Sequence, residues 1–348
     1  MRSTKIYTPI LFLSLFFTLL FFPGGSGRAS ALTPDEERVA NLIEGAKDEG
    51  KLVLYTSLNV TTATPMLDAF RAKYPFIKTE LFKTKSIKIL SKYLAEVNAK
   101  KYMADTFALT SIVLDVLKKK GLLMKYITPE SKIFPEGLTD SEGFWNALFL
   151  QLRVVTYNTK LVRKEDVPRS YEDMLDPKWK GKMGMDYREY VWFAAQLKLM
   201  GKEKGIAFMR KLAKQDLSFR GSKSLLIQLC AAGEMSLVVT AFLHRVETYK
   251  KEGAPVDWIS ISPIVTGLSL AGIAKHSPHP NSAKLFIDYI LSAEGQKAMA
   301  NLGQTVSRPD VNSTPPIKVL RKMKLYPAHP RNFDNYDETV KLYDSIFH

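Results

Sequence analysis

Short apolar runs alternate with amphipathic segments along the first third of the chain. The apolar runs, each typical of a buried β-strand, lie at residues 52–55, 79–82 and 106–109. Between the second and third runs, Ile87, Leu90, Leu94 and Val97 recur at helical spacing. A repeated strand–helix order is typical of a mainly parallel sheet with helices on both faces. The pattern therefore predicts an α/β fold.

Capping signals predict where individual helices begin. Thr33, Pro34 and Glu36 have the spacing of a capping box with proline in the first helical position, so the first helix should start here. Thr64 followed by Pro65 predicts the start of a second helix, with Thr64 as its cap.

The second half of the chain repeats the α/β pattern after one long strand. Strands are expected at residues 147–157, 183–185, 235–239, 258–261 and 268–273. Helices are expected at residues 189–200, 202–214 and 222–232, then after Pro280 and after Ser292. Two α/β units result, the second inserted into the first. We expect residues 32–146 and 262–348 to form lobe 1 and residues 147–261 to form lobe 2.

The N-terminal segment has the layout of a cleaved secretory signal peptide. Arg2 and Lys5 precede an apolar run at residues 10–22, and residues 29–31 supply an A-x-A cleavage site. The apolar run is shorter than the ~20 residues that a membrane-spanning helix needs, which opposes the alternative of a membrane anchor. We therefore expect residues 1–31 to be removed and the mature protein to be exported.

Composition narrows the classes of function. The net charge is +15, but the lysines are spread along many helices without interleaved aromatic residues, so no nucleic-acid partner is expected. Cys230 is the only cysteine, which excludes an internal disulfide. His276 and His279 lack further metal ligands nearby, so no metal site is expected. No standard nucleophile or nucleotide-binding motif is present, so we expect neither a cofactor nor an enzyme.

Small polar residues follow several predicted strands, directly before a helix. Ligands of doubly wound sheets lie outside the carboxyl ends of the strands, where free N–H groups at helix starts suit polar or anionic groups. Each such residue alone is an ordinary helix N-cap, so their recurrence in both units is what indicates a binding cleft. The predicted ligand-binding residues are Ser57, Asn59, Thr61, Thr62, Thr110, Ser111, Arg153, Asp186, Arg220, Ser222 and Thr266.

For three residues the sequence suggests a specific role in ligand binding and also a purely structural alternative. Arg220 lies beside the helix start at Ser222, where a guanidinium and free N–H groups would clamp a carboxylate or phosphonate; the alternative is a surface salt bridge. Asp186 would pair with a ligand amine, or act in the first turn of a helix. Phe242 would pack on an organic ligand, or in the core.

Four segments carry a family resemblance: residues 155–159 (VTYNT), 175–182 (LDPKWKGK), 232–237 (AGEMSL) and 279–297 (HPNSAKLFIDYILSAEGQK). They resemble the periplasmic solute-binding proteins of ABC transporters, in the ferric-iron-binding-like branch. The resemblance implies the type II periplasmic binding protein fold. In that fold two doubly wound α/β lobes, joined by crossing hinge strands, close around a ligand in the cleft between them. It also implies a periplasmic location and an ABC permease as partner; we expect a monomer.

The chain departs from this family at the iron site. Iron-binding members carry adjacent tyrosines after the strand that matches residues 237–239, because phenolate oxygens are hard donors suited to Fe(III). Residues 240–244 here read TAFLH, and alanine and phenylalanine cannot ligate iron. Tyr187 and Tyr190 are the alternative iron ligands, on another loop. The expected cargo is therefore a small polar organic solute, anionic or zwitterionic; a ferric carrier and a ligand-presenting partner of a periplasmic sensor are the alternatives.

Overall fold

The computed structural model of this chain describes residues 33–313, 319, 322–328 and 336–348, so the predicted signal peptide lies outside the described part. The helices are α1 (Pro34–Glu49), α2 (Val60–Lys73), α3 (Ser86–Asn98), α4 (Ser111–Lys119), α5 (Tyr190–Met200), α6 (Lys202–Ala213), α7 (Lys223–Ala232), α8 (Leu243–Lys251), α9 (Pro280–Leu291), α10 (Ala293–Asn301) and a C-terminal helix (Tyr336–Phe347). The strands are β1 (Lys51–Thr56), β2 (Lys78–Lys83), β3 (Thr106–Thr110), β4 (Leu123–Met124), β5 (Asn146–Asn158), β6 (Met183–Asp186), β7 (Ser218–Arg220), β8 (Leu237–Phe242), β9 (Val256–Ile259), β10 (Ile264–Ala274), β11 (Thr305–Val306) and β12 (Leu325–Pro327). None of the helices in the described ranges is long and apolar enough to cross a membrane.

Each lobe contains a parallel set of strands with the helices that follow them. In the first lobe β1 lies between β2 and β3 and is parallel to both. In the second lobe β6 lies between β7 and β8 and is again parallel to both. Because helices follow these strands, their carboxyl ends lead directly into helix starts, as the sequence pattern predicts. The predicted α/β fold is confirmed.

A single strand, β5, belongs to the sheets of both lobes. Residues 146–152 of β5 are antiparallel to β10, with Leu152 opposite Thr266. Residues 153–158 are antiparallel to β8 and β9, with Arg153 opposite Phe242. The predicted crossing strand is confirmed, and it links the strands into one continuous sheet. The lobe boundaries predicted after residues 146 and 261 fall within this crossing region and remain predictions.

Aromatic side chains fill the core of each lobe. In the first lobe Phe70 packs edge-on against Phe286, with ring centroids 5.1 Å apart. In the second, Phe193 of α5 packs edge-on against Tyr343 of the C-terminal helix, at 5.4 Å. The Tyr343 hydroxyl also donates a hydrogen bond to the carbonyl oxygen of Asp186, at 3.2 Å. The C-terminal helix therefore covers the second lobe, which differs from its predicted place in lobe 1; an amphipathic helix does not reveal which lobe it covers.

The first helix begins where the capping box predicts, but the second does not. The Thr33 hydroxyl accepts a hydrogen bond from the Glu36 N–H, and the Thr33 N–H donates the reciprocal bond to the Glu36 carboxylate, so the predicted cap is confirmed. Helix α2 begins at Val60, and the predicted cap at Thr64 is wrong. Thr62, in its first turn, is buried, and its hydroxyl accepts a hydrogen bond from the Gln304 amide at 3.3 Å, a tertiary contact that the local sequence does not reveal. The helix tolerates Pro65 near its beginning, where a missing N–H removes only one intrahelical bond.

Gly295, in the first turn of α10, lies against the backbone of the preceding helix. A Cβ atom at this position would collide with the carbonyl oxygen of Tyr289 and lie 2.9 Å from the Cα of Ile290. Because backbone atoms cannot rotate away, we expect Gly295→Ala to lower the free energy of unfolding by about 2 kcal/mol. Urea unfolding followed by tryptophan fluorescence measures this loss.

Gly45 of α1 is the matched control, since a Cβ there meets only the side chain of Asn281, which can rotate. Gly45→Ala should cost clearly less than Gly295→Ala. Equal losses at the two glycines would contradict the backbone collision.

Candidate ligand-binding site

A cleft of about 540 Å³ lies between the two lobes. It opens at the carboxyl ends of β1 and β3 in the first lobe and of β6, β7 and β8 in the second. Both parallel strand sets therefore point their carboxyl ends at one space, which is where α/β proteins bind ligands. The volume suits a small organic molecule.

Six helices begin at the wall of this cleft. The residues that precede them, all in the lining, are Asn59, Lys85, Thr110, Glu189, Ser222 and Phe242. Ser222 caps its own helix by accepting a bond from the Leu225 N–H, at 3.3 Å. The other five side chains make no such capping bond. First-turn N–H groups from both lobes can therefore bind a ligand, and the helix dipoles favour negative charge there.

Positive side chains outnumber negative ones in the lining. The cations are Lys85, Arg153, Arg188, Lys223 and Arg245, and the anions are Asp186 and Glu189. With the helix N-termini, this excess makes the cleft electropositive and favours an anionic ligand over a cationic one.

A buried ion-pair network holds two of these cations in place. The Arg153 guanidinium Nε donates to Glu189 Oε2 at 2.9 Å, and the two side chains are 7% and 1% exposed. Lys223 pairs with the other oxygen of Glu189, and its Nζ lies 3.7 Å from Asp186 Oδ2. Both cations also lie over the ring of Phe242, with Lys223 Nζ at 5.0 Å and Arg153 Cζ at 5.6 Å from its centroid.

Burial shifts the pKa values of both cations. It lowers the pKa of Lys223 to about 7; the charge of Asp186 opposes this shift and that of Arg153 adds to it. Burial also lowers the pKa of Arg153 to about 10, opposed by the charge of Asp186, so this guanidinium stays protonated at neutral pH. The charge of the cleft therefore depends on Lys223 near neutral pH.

His244, in the first turn of α8, brings an uncharged polar ring to the same cleft. The residue is 6% exposed, and its Nδ1 atom is buried without a hydrogen-bond partner. Burial lowers the pKa of His244 to about 3, and the neighbouring charge of Arg245 acts in the same direction. The imidazole is therefore neutral. Its ring lies nearly parallel to that of Phe242, at 14° and 5.8 Å between centroids.

The structure brings most of the predicted binding residues together. The predicted residues in the lining are Ser57, Asn59, Thr62, Thr110, Ser111, Arg153, Asp186 and Ser222. Phe242, for which a ligand contact and a core position were both open, also lies in the lining. Their contact with a ligand remains a prediction.

Three predicted residues lie outside the cleft lining. Thr61 is exposed on the surface of α2. Arg220 is exposed too, and its Nη1 donates to the carbonyl oxygen of Phe219 at 2.7 Å rather than reaching the start of α7. Thr266 is fully buried within β10, and its hydroxyl donates to the carbonyl oxygen of Ile264 at 3.0 Å. In this structure the Arg220 guanidinium therefore does not join Ser222 at the cleft, and Lys223 is the cation in the first turn of this helix.

Several lining residues were missed from the sequence. Lys223 directly follows the correctly predicted cap Ser222, so a search for cations in the first turn of capped helices would have found it. Lys85 stands between β2 and α3, so a search for cations in strand-to-helix connections would have found it. No sequence pattern around Glu189 or His244 indicates a binding site, because the role of each depends on residues that other strands and helices bring next to it.

The ion pairs around Glu189 should contribute to the free energy of unfolding. Arg153→Met leaves a buried carboxylate with Lys223 as its remaining close cation, so we expect a loss of about 3 kcal/mol in the free energy of unfolding. The double variant Arg153→Met/Glu189→Gln should recover much of the loss. Urea unfolding of both variants measures the coupling, and strictly additive losses would contradict it.

Arg163 provides the matched control. Its Nε lies 2.8 Å from Asp166 Oδ2, but the arginine side chain is 75% exposed. Arg163→Met should leave stability nearly unchanged, because water already solvates both charges.

Solved structures of similar fold bind different ligands. Iron-bound HitA from Pseudomonas aeruginosa matches with a TM-score of 0.75 at 24% identity, over 85% of this chain and 99% of that chain. AfuA from Actinobacillus pleuropneumoniae, with fructose-6-phosphate bound, matches with a TM-score of 0.73 at 24% identity, over 85% and 97%. These matches show that the fold is that of the type II periplasmic binding proteins.

Sequence comparison identifies the family. Iron uptake protein A2 of Synechocystis sp. is 22% identical over 351 residues, which cover 94% of this chain and 96% of that protein. The profile of the family described as "Bacterial extracellular solute-binding protein" matches residues 103–325, more than half of the chain. The resemblance inferred from the sequence is confirmed: the chain belongs to the bacterial extracellular solute-binding proteins.

Proposed function

We propose that this protein is the periplasmic binding component of an ABC importer, that it captures a small organic anion between its lobes, and that it delivers the anion to a membrane permease. Its family consists of binding proteins rather than enzymes, and we propose no catalytic role. The observation that carries the choice of an anion is the electropositive cleft, where five cations face two carboxylates among six helix starts.

The start of α7 is the strongest candidate for the anion-binding position. Lys223 lies in the first turn of this helix, and Arg188 lines the cleft beside it. Arg188 Nη2 donates to the carbonyl oxygen of Gly221 at 3.0 Å, which holds the guanidinium against the helix start. A guanidinium, an ammonium and free N–H groups together suit a phosphate or carboxylate.

The size of the cleft favours an organic anion over an inorganic one. A volume of about 540 Å³ lies within the range of small-molecule sites, and a phosphate ion alone would fill a small part of it. Apolar side chains, including Phe149 and Leu268, alternate with the polar ones in the lining and suit a carbon skeleton. Fructose-6-phosphate in the related AfuA is a ligand of this kind.

Ferric iron is the alternative, because the solved structure of HitA is iron-bound and the Synechocystis protein is named for iron uptake. In this chain Phe242 stands at the end of β8, where iron-binding members carry tyrosines. Tyr190 lines the cleft, but Tyr187 does not. Within the described residues no three His, Cys, Asp or Glu side chains cluster as a metal site. The positive cleft also repels Fe(III), so the observations favour the organic anion.

The identity of the cargo can be tested on the protein exported to the periplasm. We expect native mass spectrometry to show a bound small organic anion. After its removal, at least one member of a panel of phosphorylated and carboxylated metabolites, fructose-6-phosphate included, should raise the melting temperature, because a ligand of the folded state stabilises it. As a comparison, the protein is also mixed with ferric nitrilotriacetate. The proposal is wrong if the protein forms a ferric complex that absorbs visible light and no organic anion raises its melting temperature.

Anion affinity should depend on pH through Lys223. Its pKa of about 7 means that the ammonium loses its proton, and its charge, as the pH rises past 7. We expect the affinity ratio of the wild type to Lys223→Met, measured by calorimetry with the anion found above, to be about tenfold at pH 6 and to fall towards one above pH 8. Any change in the protonation of the ligand itself affects the affinities of both proteins equally and therefore cancels in this ratio.

Lys85→Met is the matched control in the same cleft, because Lys85 is exposed. This ammonium lies in water and outside the buried ion-pair network, so the loss of affinity should be the same at pH 6 and pH 8. A Lys223 ratio that stays constant over this range would contradict the role of its burial.

A further inference from the structure

The unpaired imidazole of His244 is the feature that an anion site alone does not explain. The ring lines the cleft, the residue is 6% exposed, and Nδ1 has no hydrogen-bond partner. Buried polar groups are almost always hydrogen-bonded, so an unpaired one indicates a missing partner. His244 is part of the cleft wall, so a ligand bound in the cleft is the candidate for that partner.

His244 and the buried cations lie around one aromatic ring. Phe242 stacks with the imidazole at 5.8 Å, and the same ring has Lys223 Nζ at 5.0 Å and Arg153 Cζ at 5.6 Å. All three groups are thus within the span of one small molecule. A ligand whose anionic group meets the cations can therefore reach the imidazole with another part of its skeleton.

The chemistry of this second position is neutral. Burial and the nearby charge of Arg245 keep His244 uncharged, and a neutral imidazole has one donor and one acceptor nitrogen. Other lining groups from the crossing region are also uncharged, namely Gln151, Ser269 and Gln304. A hydroxyl group, which both donates and accepts, matches such a surface.

We propose that His244 is a specificity-determining residue that hydrogen-bonds a hydroxyl group of the solute whose anionic group binds near Lys223 and Arg153. The cargo is then a hydroxylated organic anion, such as a polyol or sugar phosphate, and not a bare anion or an alkyl phosphate. This inference rests on the proposed anion-binding function and adds the recognition of the neutral part of the ligand.

A matched pair of probes tests the proposal: glycerol 3-phosphate and propyl phosphate, which share a three-carbon chain and a phosphate and differ by two hydroxyl groups. Calorimetry on the full mature protein gives both affinities. We expect the wild type to bind glycerol 3-phosphate about tenfold more tightly, the size of one good hydrogen bond. His244→Phe retains an aromatic ring next to Phe242 and removes both ring nitrogens, so the ratio should fall to about one through a weaker affinity for glycerol 3-phosphate.

Two further variants separate recognition from folding. His244→Gln restores a donor and an acceptor and should recover part of the ratio. His276→Phe removes another histidine that packs on an aromatic ring, with its centroid 4.5 Å from that of Tyr102 and outside the cleft lining, and should leave the ratio unchanged. His244→Leu repeats the test if the phenylalanine variant does not fold.

Each outcome decides the question. A wild type that binds the two probes equally overturns the role of His244, whatever the variants do. An affinity ratio of about ten that persists in His244→Phe also overturns the role of His244. Neither of these two results contradicts the proposed binding of an anion in the cleft. A wild type that binds neither these probes nor any member of the anion panel overturns the proposed function, and the role of His244 with it.

Discussion

The membership of β5 in both sheets is the constraint on which the rest of the structure depends. Its backbone hydrogen-bonds to β10 in one half and to β8 and β9 in the other. This continuous strand sets the two lobes side by side, so that the carboxyl ends of both parallel strand sets face one cleft. Arg153 stands where the pairing changes from one lobe to the other, and its guanidinium lies in that cleft. The connection between the lobes and the central cation of the site are therefore parts of one strand.

The electrostatics of the cleft follow from the need to stabilise buried charge. Arg153 and Lys223 are largely removed from water, which would be costly for isolated ions. Glu189 and Asp186 offset that cost and hold both cations in fixed positions. Because these groups are already dehydrated, an incoming anion interacts with them more strongly than it would with solvated side chains. A network of this kind is weak evidence for stability and stronger evidence for a prepared binding surface.

The fold was largely predictable, because it depends on patterns that are local in the sequence. Apolar runs and helical spacing located the main strands and helices, and the long apolar run of β5 marked the crossing. The errors arose where packing outweighed a local signal. Thr64 and Pro65 predicted a helix start at that point, yet α2 begins at Val60. Thr62, in its first turn, is buried and bonded to Gln304, 242 residues away. Helix α8 was missed because its sequence, LHRVETYKK, is mostly polar and has a weak apolar period.

The site was predictable only in part. The sequence by itself determined which polar residues stand at strand ends before helices, since a strand–loop–helix order can be read along the chain. The tertiary structure alone decided which of them share one cavity. Arg220 and Thr266 point elsewhere, because side-chain direction in a strand reverses with every residue. The partner of Arg153 lies 36 residues away in Glu189, and such a contact is made by the packing of distant elements rather than by any local pattern.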